Sequence, residues 1–304
     1  MISEKSRKKV RKICIFLPLI VVFSIILILI SIFFKHDYAN FNFFGMDTFI
    51  VVSSDKNIEK EIKQIFTDTE NIFNFHDSMS EVSRLNSSKT INSSDELTAA
   101  LRHILELNNK YGNGADVTAG SLTKLWDITG KNPEIPAQSE IDKALAATGF
   151  KNITINGNNI TLENNAILDF GCVAKGIALD KVKELLDKED SHYSLITTGS
   201  SILVYGNQYG EQNIDIASPD KQGSIGSVTL RGGCFISTSG GYERYAEIDG
   251  KKYNVEKDVY ATVKKGKDPK ISVKDDHIVI DNGLKTVSPN IKATSVKATK
   301  VKGW

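Results

Sequence analysis

The segment Leu168-Asp-Phe-Gly-Cys-Val-Ala-Lys-Gly-Ile-Ala-Leu-Asp180 constrains the fold more than any other stretch of the chain. Asn159–Leu162, just before it, reads as a strand. Val173 to Glu189 reads as a helix, because Ala174, Ile177, Ala178, Val182, Leu185 and Leu186 recur on one face. Between them a carboxylate ends the extended segment and small residues make a tight turn. Backbone N–H groups at a helix start lack intrahelical partners and attract anions. Lys175 adds a mobile positive charge in the first turn. Asp169 adds a carboxylate that can accept from a base or a sugar hydroxyl, or help hold a metal. Two readings stand side by side: a site for a phosphate-bearing cofactor, and an ordinary strand-to-helix turn. Alone, the segment favours the ordinary turn.

A second stretch shifts that balance. In Cys234-Phe-Ile-Ser-Thr-Ser-Gly-Gly-Tyr-Glu-Arg-Tyr245 a short apolar strand runs into Ser237, Thr238 and Ser239, then two glycines, then Glu243 and Arg244. Glycines let a backbone approach a ligand, and hydroxyls donate to phosphate or to a ring carbonyl. A plain β-turn bounded by Ser and Thr is the alternative. Tyr242 and Tyr245 either stack on a ring or simply pack.

Taken together and in this order, the two stretches resemble the FAD:protein FMN transferase family, the ApbE-type flavin transferases. Further segments extend the resemblance. Met46-Asp47-Thr48 resembles the family's opening of its first strand. Ser80-Glu-Val-Ser-Arg-Leu-Asn86 resembles its Ser-Glu-x-Ser-x-Leu-Asn. Gly114-Ala-Asp-Val-Thr-Ala-Gly-Ser-Leu122 with Leu125-Trp126 resembles Phe-Asp-x-Thr-x-Gly-Pro-Leu…Leu-Trp, and Asp281-Asn-Gly-Leu-Lys285 resembles a later segment. The matches run in continuous order from Met46 to Tyr253. Leu125 and Trp126 themselves read as core more than as flavin-stacking residues.

The resemblance implies FAD as substrate and Mg²⁺ to neutralise its pyrophosphate. A threonine hydroxyl on an acceptor redox protein attacks the FMN phosphorus, and AMP leaves. Position by position, it implies that Met46, His76, Gly114, Ala115, Asp116, Asp169, Lys175, Ser237, Thr238 and Ser239 contact the cofactor. Asp169 and Lys175 are the catalytic candidates, and the backbone carbonyl of Cys172 falls where the family has a metal ligand. The ending departs from the family. After Lys251-Lys-Tyr253 the expected His-His-Ile-Ile-Asp-Pro is replaced by Asn254-Val-Glu-Lys-Asp258, and no Asp-x-x-x-Thr helix follows Asp281. His277 reads as an ordinary strand histidine or as a displaced remnant of the histidine motif. The family's paired glycines become Gly171 and Cys172, and its Gly-Gly-Asn loop becomes Gly199-Ser-Ser201. Three functions stay open: an active flavin transferase, a membrane-anchored FAD-binding protein without chemistry, and an FAD pyrophosphatase that uses water in place of threonine.

Ile13 to Phe34 carries no charged residue and exceeds the roughly 20 residues a membrane span needs. Lys5, Arg7, Lys8, Lys9, Arg11 and Lys12 precede it, so the positive-inside rule predicts a cytoplasmic amino end and an extracytoplasmic domain. A cleaved signal peptide is disfavoured, because no small-x-small site precedes Lys35. Cys14 sits in no lipobox. The expected organisation is a basic tail and single-pass cell-membrane anchor over 1–35, a linker over 36–45, a flavin transferase-like domain over 46–288 and a loose tail over 289–304. A net charge of +1 argues against nucleic-acid binding. Three cysteines are too few for a disulfide framework, and Cys172 with Cys234 reads as a buried reduced pair.

Helical spacing is expected over Ile58–Phe73, Ser94–Tyr111 and Ser139–Leu145, the last closed by Gly149. Thr48–Ser53 reads as a strand. Short strands with glycine turns follow Glu189: Ser194–Ile196, Ile202–Val204, Asn213–Ile216, Ser227–Leu230 and Phe235–Ile236, with a hairpin turn at Asp249-Gly250. Helices lead and antiparallel strands follow, so the fold class is α+β.

Overall fold

The computed structural model describes residues 38–111, 116–127, 133–206, 211–217, 223–239, 246–248, 251–253, 260–265, 270–274 and 277–281. The chain divides into two units, Met1–Tyr38 and Ala39–Trp304. The expected membrane span over Ile13–Phe34 lies outside the described residues, and no described helix is long and apolar enough to cross a membrane.

The second unit opens with strands β1 (Ala39–Gly45) and β2 (Thr48–Ser54). Helix α1 (Glu59–Phe73) and helix α2 (Glu81–Ser88) follow, then β3 (Thr90–Asn92), α3 (Asp95–Tyr111), α4 (Gly120–Trp126) and α5 (Gln138–Ala146). Strands β4 (Ile153–Asn156) and β5 (Asn159–Leu162) lead to α6 (Ala174–Lys188). The remainder is extended: β6 (Ser194–Thr197), β7 (Ser201–Tyr205), β8 (Glu211–Ala217), β9 (Ser224–Arg231), β10 (Cys234–Ser239), β11 (Ala246–Ile248), β12 (Lys251–Tyr253), β13 (Tyr260–Lys265), β14 (Lys270–Lys274) and β15 (His277–Asp281). The architecture is α+β, as the order of patterns predicts.

A six-stranded antiparallel sheet in the order β1-β2-β6-β7-β10-β13 forms the centre. Its inner face alternates as a half-buried sheet must: Ile50 and Val52 are buried while Phe49 and Val51 point outward. Helices α1 and α6 cover that inner face. Ile62 and Phe66 of α1 meet Ala178, Leu179, Val182 and Leu186 of α6 and Ile50, Val52, Ile196 and Leu203 of the sheet. A second cluster joins Val82, Leu85, Leu97, Leu101 and Ile104 to Ile160, Leu162, Leu168 and Phe170 beneath the small sheet β3-β5-β4. On the outer face Val228 and Leu230 of the β8-β9 ribbon pack with Val204, Cys234 and Ile236.

Several expectations are corrected. Residues Ala39–Gly45, expected as linker, form β1, paired residue by residue with β2. Met46-Asp47-Thr48 therefore does not open the first strand; Met46 and Asp47 are the turn of the first hairpin. Cys172 is exposed and Cys234 buried, so they form no buried pair. Leu125 and Trp126 are half-buried rather than fully in the core. Strands β13 to β15 extend regular structure into the lysine-rich region, while 289–304 lies outside the described residues.

Candidate functional site at one end of the central sheet

The two-residue turn between β1 and β2 places Met46 at φ 51° and Asp47 at φ 57°. Type I′ hairpins need left-handed backbone at both central positions and favour Asn and Gly there. Each non-glycine residue held so costs roughly 1–2 kcal/mol, and such strain persists where the surroundings over-determine it. Here they do. The Met46 side chain packs against both core clusters, and its N–H donates to Glu70 Oε2 on α1 at 3.4 Å.

The turn between β6 and β7 lies against this hairpin. Gly199 has φ +73°, and a Cβ there would sit 2.8 Å from Thr48 Oγ1. The Thr198 N–H and hydroxyl both donate to the Ser201 carbonyl, at 2.8 and 3.0 Å. The Thr238 N–H donates to the Ser200 carbonyl at 2.8 Å, and the Ser201 and Ser237 hydroxyls are 3.3 Å apart. Ser237 and Thr238 are thus fixed beside the β6–β7 turn, and Ser239 ends β10 opposite Tyr260.

Helix α6 is aimed at the same end. Its last turn is tied to the far end of the sheet, where Tyr205 donates to Asp187 Oδ1 at 2.7 Å. Burial and this hydrogen bond push the Tyr205 hydroxyl up to about 12. Beyond the helix, Asp55 accepts from Ser191 Oγ at 2.6 Å and from the His192 N–H at 2.8 Å. Burial raises the Asp55 carboxyl, but these hydrogen bonds outweigh it and hold the group below its ordinary value. With its carboxyl end anchored there, α6 presents its amino end to Met46 and the β6–β7 turn.

The chain reaches that amino end through a clamped segment. Leu168 is fully buried. Its N–H donates to Asn86 Oδ1 at 2.7 Å, and Asn86 Nδ2 donates to its carbonyl at 2.8 Å. The Asp169 N–H donates to the Val117 carbonyl at 2.8 Å, and Ala119 bridges Ile167 in parallel. A Cβ on Gly120 would lie 2.6 Å from the Ile167 carbonyl oxygen, so only glycine allows this approach. Asp169 Oδ1 then accepts the Gly171 N–H at 2.8 Å, which closes the turn. Asp169 Oδ2 accepts no hydrogen bond among the described residues. Val173 provides no side-chain cap for α6, and Lys175 is half-buried in its first turn.

Asp116 lies beside this segment. Its Oδ1 accepts the Thr118 N–H at 2.8 Å and the Thr118 hydroxyl at 2.5 Å, and the Thr118 hydroxyl oxygen accepts the Gly149 N–H at 2.5 Å. Gly114 and Ala115 lie outside the described residues. His76 is exposed, with Phe75 edge-on at 4.9 Å. Its N–H donates to Asn74 Oδ1 at 2.8 Å, and Asn74 Nδ2 reaches Glu70 Oε1 at 3.4 Å. Glu70 therefore ties the His76 loop to the Met46 turn.

The structure brings Met46, His76, Asp116, Asp169, Lys175, Ser237 and Thr238 to one end of the sheet. Three parts of this frame were not singled out from the sequence: Glu70, Asn86 and Gly120. Asn86 and Gly120 sit inside the quoted motifs, and their positional demand was the available signal. No group of three or more His, Cys, Asp or Glu able to hold a metal occurs among the described residues. Mg²⁺ needs less, since it is commonly bound through one or two carboxylates plus phosphates and waters. Asp169 with an open oxygen, next to the exposed Cys172, fits that donor set.

The model of the ApbE family matches residues 44–258, and a model described as a domain of unknown function (DUF1958) matches residues 245–299. An FAD:protein FMN transferase from Vibrio cholerae serotype O1 is 28% identical over 215 residues, which cover 67% of this chain and 64% of that protein. One from Escherichia coli K12 is 31% identical over 172 residues, covering 52% and 47%. The chain thus spans less than two thirds of these curated relatives. The crystal structure of the ApbE protein from Thermotoga maritima superposes with a TM-score of 0.65 at 26% identity, covering 72% of this chain and 75% of that one. The apo flavinyl transferase ApbE of Pseudomonas stutzeri gives 0.62 at 22% identity, covering 72% and 73%, a likeness of fold. With its family model spanning most of the chain and the motif residues gathered at one end of the sheet, this protein belongs to the ApbE family.

Proposed function

We propose that the protein is an Mg²⁺-dependent FAD:protein FMN transferase. It takes FAD as substrate and moves FMN to a threonine hydroxyl of an extracytoplasmic redox protein. The observation that carries this reading is the convergence of Asp169, Lys175, Asp116 and Met46 with the Ser237-Thr238 strand end, in a chain of this family. The threonine oxygen forms a bond to the FMN phosphorus and gives up its proton to solvent, the pyrophosphate P–O bond breaks, and AMP carries away the electron pair. Such transfers depend mainly on positioning and charge neutralisation. Lys175 supplies a positive charge for the pyrophosphate at the start of α6. Asp169 and the Cys172 carbonyl would hold Mg²⁺, which when bound neutralises phosphate charge. The Ser237 and Thr238 hydroxyls and Asp116 orient the substrate. The run Ile13–Phe34 anchors the chain in the cell membrane with residues 46–288 outside.

The test is to incubate the full chain with FAD, Mg²⁺ and a threonine-bearing acceptor domain, then look for fluorescent acceptor on a denaturing gel. Asp169→Asn keeps an oxygen for the Gly171 N–H and removes only charge, so transfer is expected to vanish while the fold persists. Lys175→Ala is expected to weaken FAD binding by roughly 1.5–3 kcal/mol. Transfer indifferent to both changes refutes the assignment.

One observation favours a second reading. Where the family's histidine motif and Asp-x-x-x-Thr helix are expected, this chain instead matches the domain of unknown function, over 245–299. A chain that lost those groups binds FAD without chemistry. FAD binding with neither transfer nor hydrolysis at any Mg²⁺ concentration identifies that case. FMN and AMP release without labelled protein identifies a pyrophosphatase.

A further inference from the structure

The outer face of the central sheet is covered unevenly. The β8-β9 ribbon packs over β7 and β10. At the β1-β2 edge Phe44, Phe49 and Val51 stand 65%, 67% and 50% exposed. Phe44 and Phe49 face each other across the hairpin, directly beside the Met46–Asp47 turn, with rings edge-on at 5.5 Å. Two facing aromatics left in solvent next to a ligand site mark an interaction surface. We propose that Phe44, Phe49 and Val51 form the docking face for the acceptor protein, resting on the transferase reading above.

Position in the hairpin selects this partner. Ala39 pairs with Ser54, at the opposite end of the hairpin from Gly45 and Thr48. Five strand steps separate Ala39 from Phe44, about 17 Å at about 3.3 Å per residue. The aromatic pair thus sits at the site end of β1. The pair is continuous, through Met46 and Asp47, with the place where a macromolecular substrate must bring its hydroxyl. An acceptor presenting an apolar surface beside its target threonine would cover both rings while the hydroxyl reaches the flavin phosphate.

The test uses the full chain in detergent and in nanodiscs, with a purified threonine-bearing acceptor domain. The double variant Phe44→Thr/Phe49→Thr puts a strand-favouring β-branched residue at both positions. Loss of two anchors is expected to raise the acceptor KM and the calorimetric Kd by at least about tenfold, with FAD affinity and the KM for FAD unchanged. Calorimetry needs no turnover. Weakened acceptor binding in a protein that transfers nothing therefore upholds the surface and removes the transferase reading. Unchanged acceptor affinity, or no acceptor binding by the parent chain, overturns the proposal. So does amide protection of residues 42–51 on transfer into nanodiscs without acceptor, which gives the face to lipid. Self-association abolished by the double variant overturns it too, and gives the face to a second copy.

Discussion

Asn86→Ala is the most direct test of how the site is held. Asn86 grips both backbone groups of Leu168, accepting its N–H at 2.7 Å and donating to its carbonyl at 2.8 Å. Leu168 is fully buried, so truncation leaves a donor and an acceptor without partners and without easy access to water. An orphaned buried backbone group costs about 1–3 kcal/mol. Taking about 1–2 kcal/mol for each, as a water entering the vacated space would offset part of the cost, the expected loss is roughly 2–4 kcal/mol. Asn86→Asp keeps the acceptor but sets a carboxylate against the Leu168 carbonyl, so it should be no better than alanine. Because Asp169 follows Leu168 directly, FAD affinity should fall along with stability. Urea unfolding with an unchanged m-value measures the first quantity, and flavin fluorescence titration the second. A loss below about 0.5 kcal/mol with unaltered FAD affinity would refute the clamp.

Gly120→Ala should cost about 1–3 kcal/mol by forcing a Cβ against the Ile167 carbonyl, read as a lower denaturation midpoint. Asp55 contributes stability that is present above its unfolded value of about 3.9 and lost as pH falls through its lower folded value. Asp55→Asn should therefore flatten the stability profile below about pH 4, as acid titration monitored by circular dichroism would show. Tyr205 behaves in the opposite sense. Its contribution is full below its unfolded value of about 10 and fades as pH rises towards about 12. Tyr205 is only partly buried, so the effect is small, and Tyr205→Phe should remove it from alkaline denaturation curves.

Periodic apolar residues made most of the fold legible. The helix expected over Val173–Glu189 is observed over Ala174–Lys188, since one continuous apolar face leaves little choice of period. Helix α2 is different: Glu81 is buried to receive the Ser94 N–H and hydroxyl, a long-range contact that no local pattern announces. Strand β1 was hidden because Asn40 and Asn42, poor strand formers, occupy outward positions and Phe44 puts an apolar residue on that same face. At the site, the motif residues that are described lie at one end of the sheet, while Gly114 and Ala115 lie outside the described residues. The groups that hold them, such as Glu70 under Met46 and Gly199 against Thr48, act across the fold and become visible only when the strands are paired.

The pairing order also sets a schedule for assembly. Strand β2 waits for β6, and the hydroxyls of Ser54 and Ser194 that meet there are 140 residues apart in sequence. The two edges, β1 and β13, come from opposite ends of the folded unit, and β13 lies within the region matched by the second family model. Non-local antiparallel pairing closes long loops before it is rewarded, which slows folding. During synthesis the β1-β2 hairpin, with Phe44 and Phe49 uncovered, exists long before its sheet neighbours emerge. The chain therefore passes through an interval in which this apolar hairpin stands alone, and the emergence of β6 decides when that interval ends.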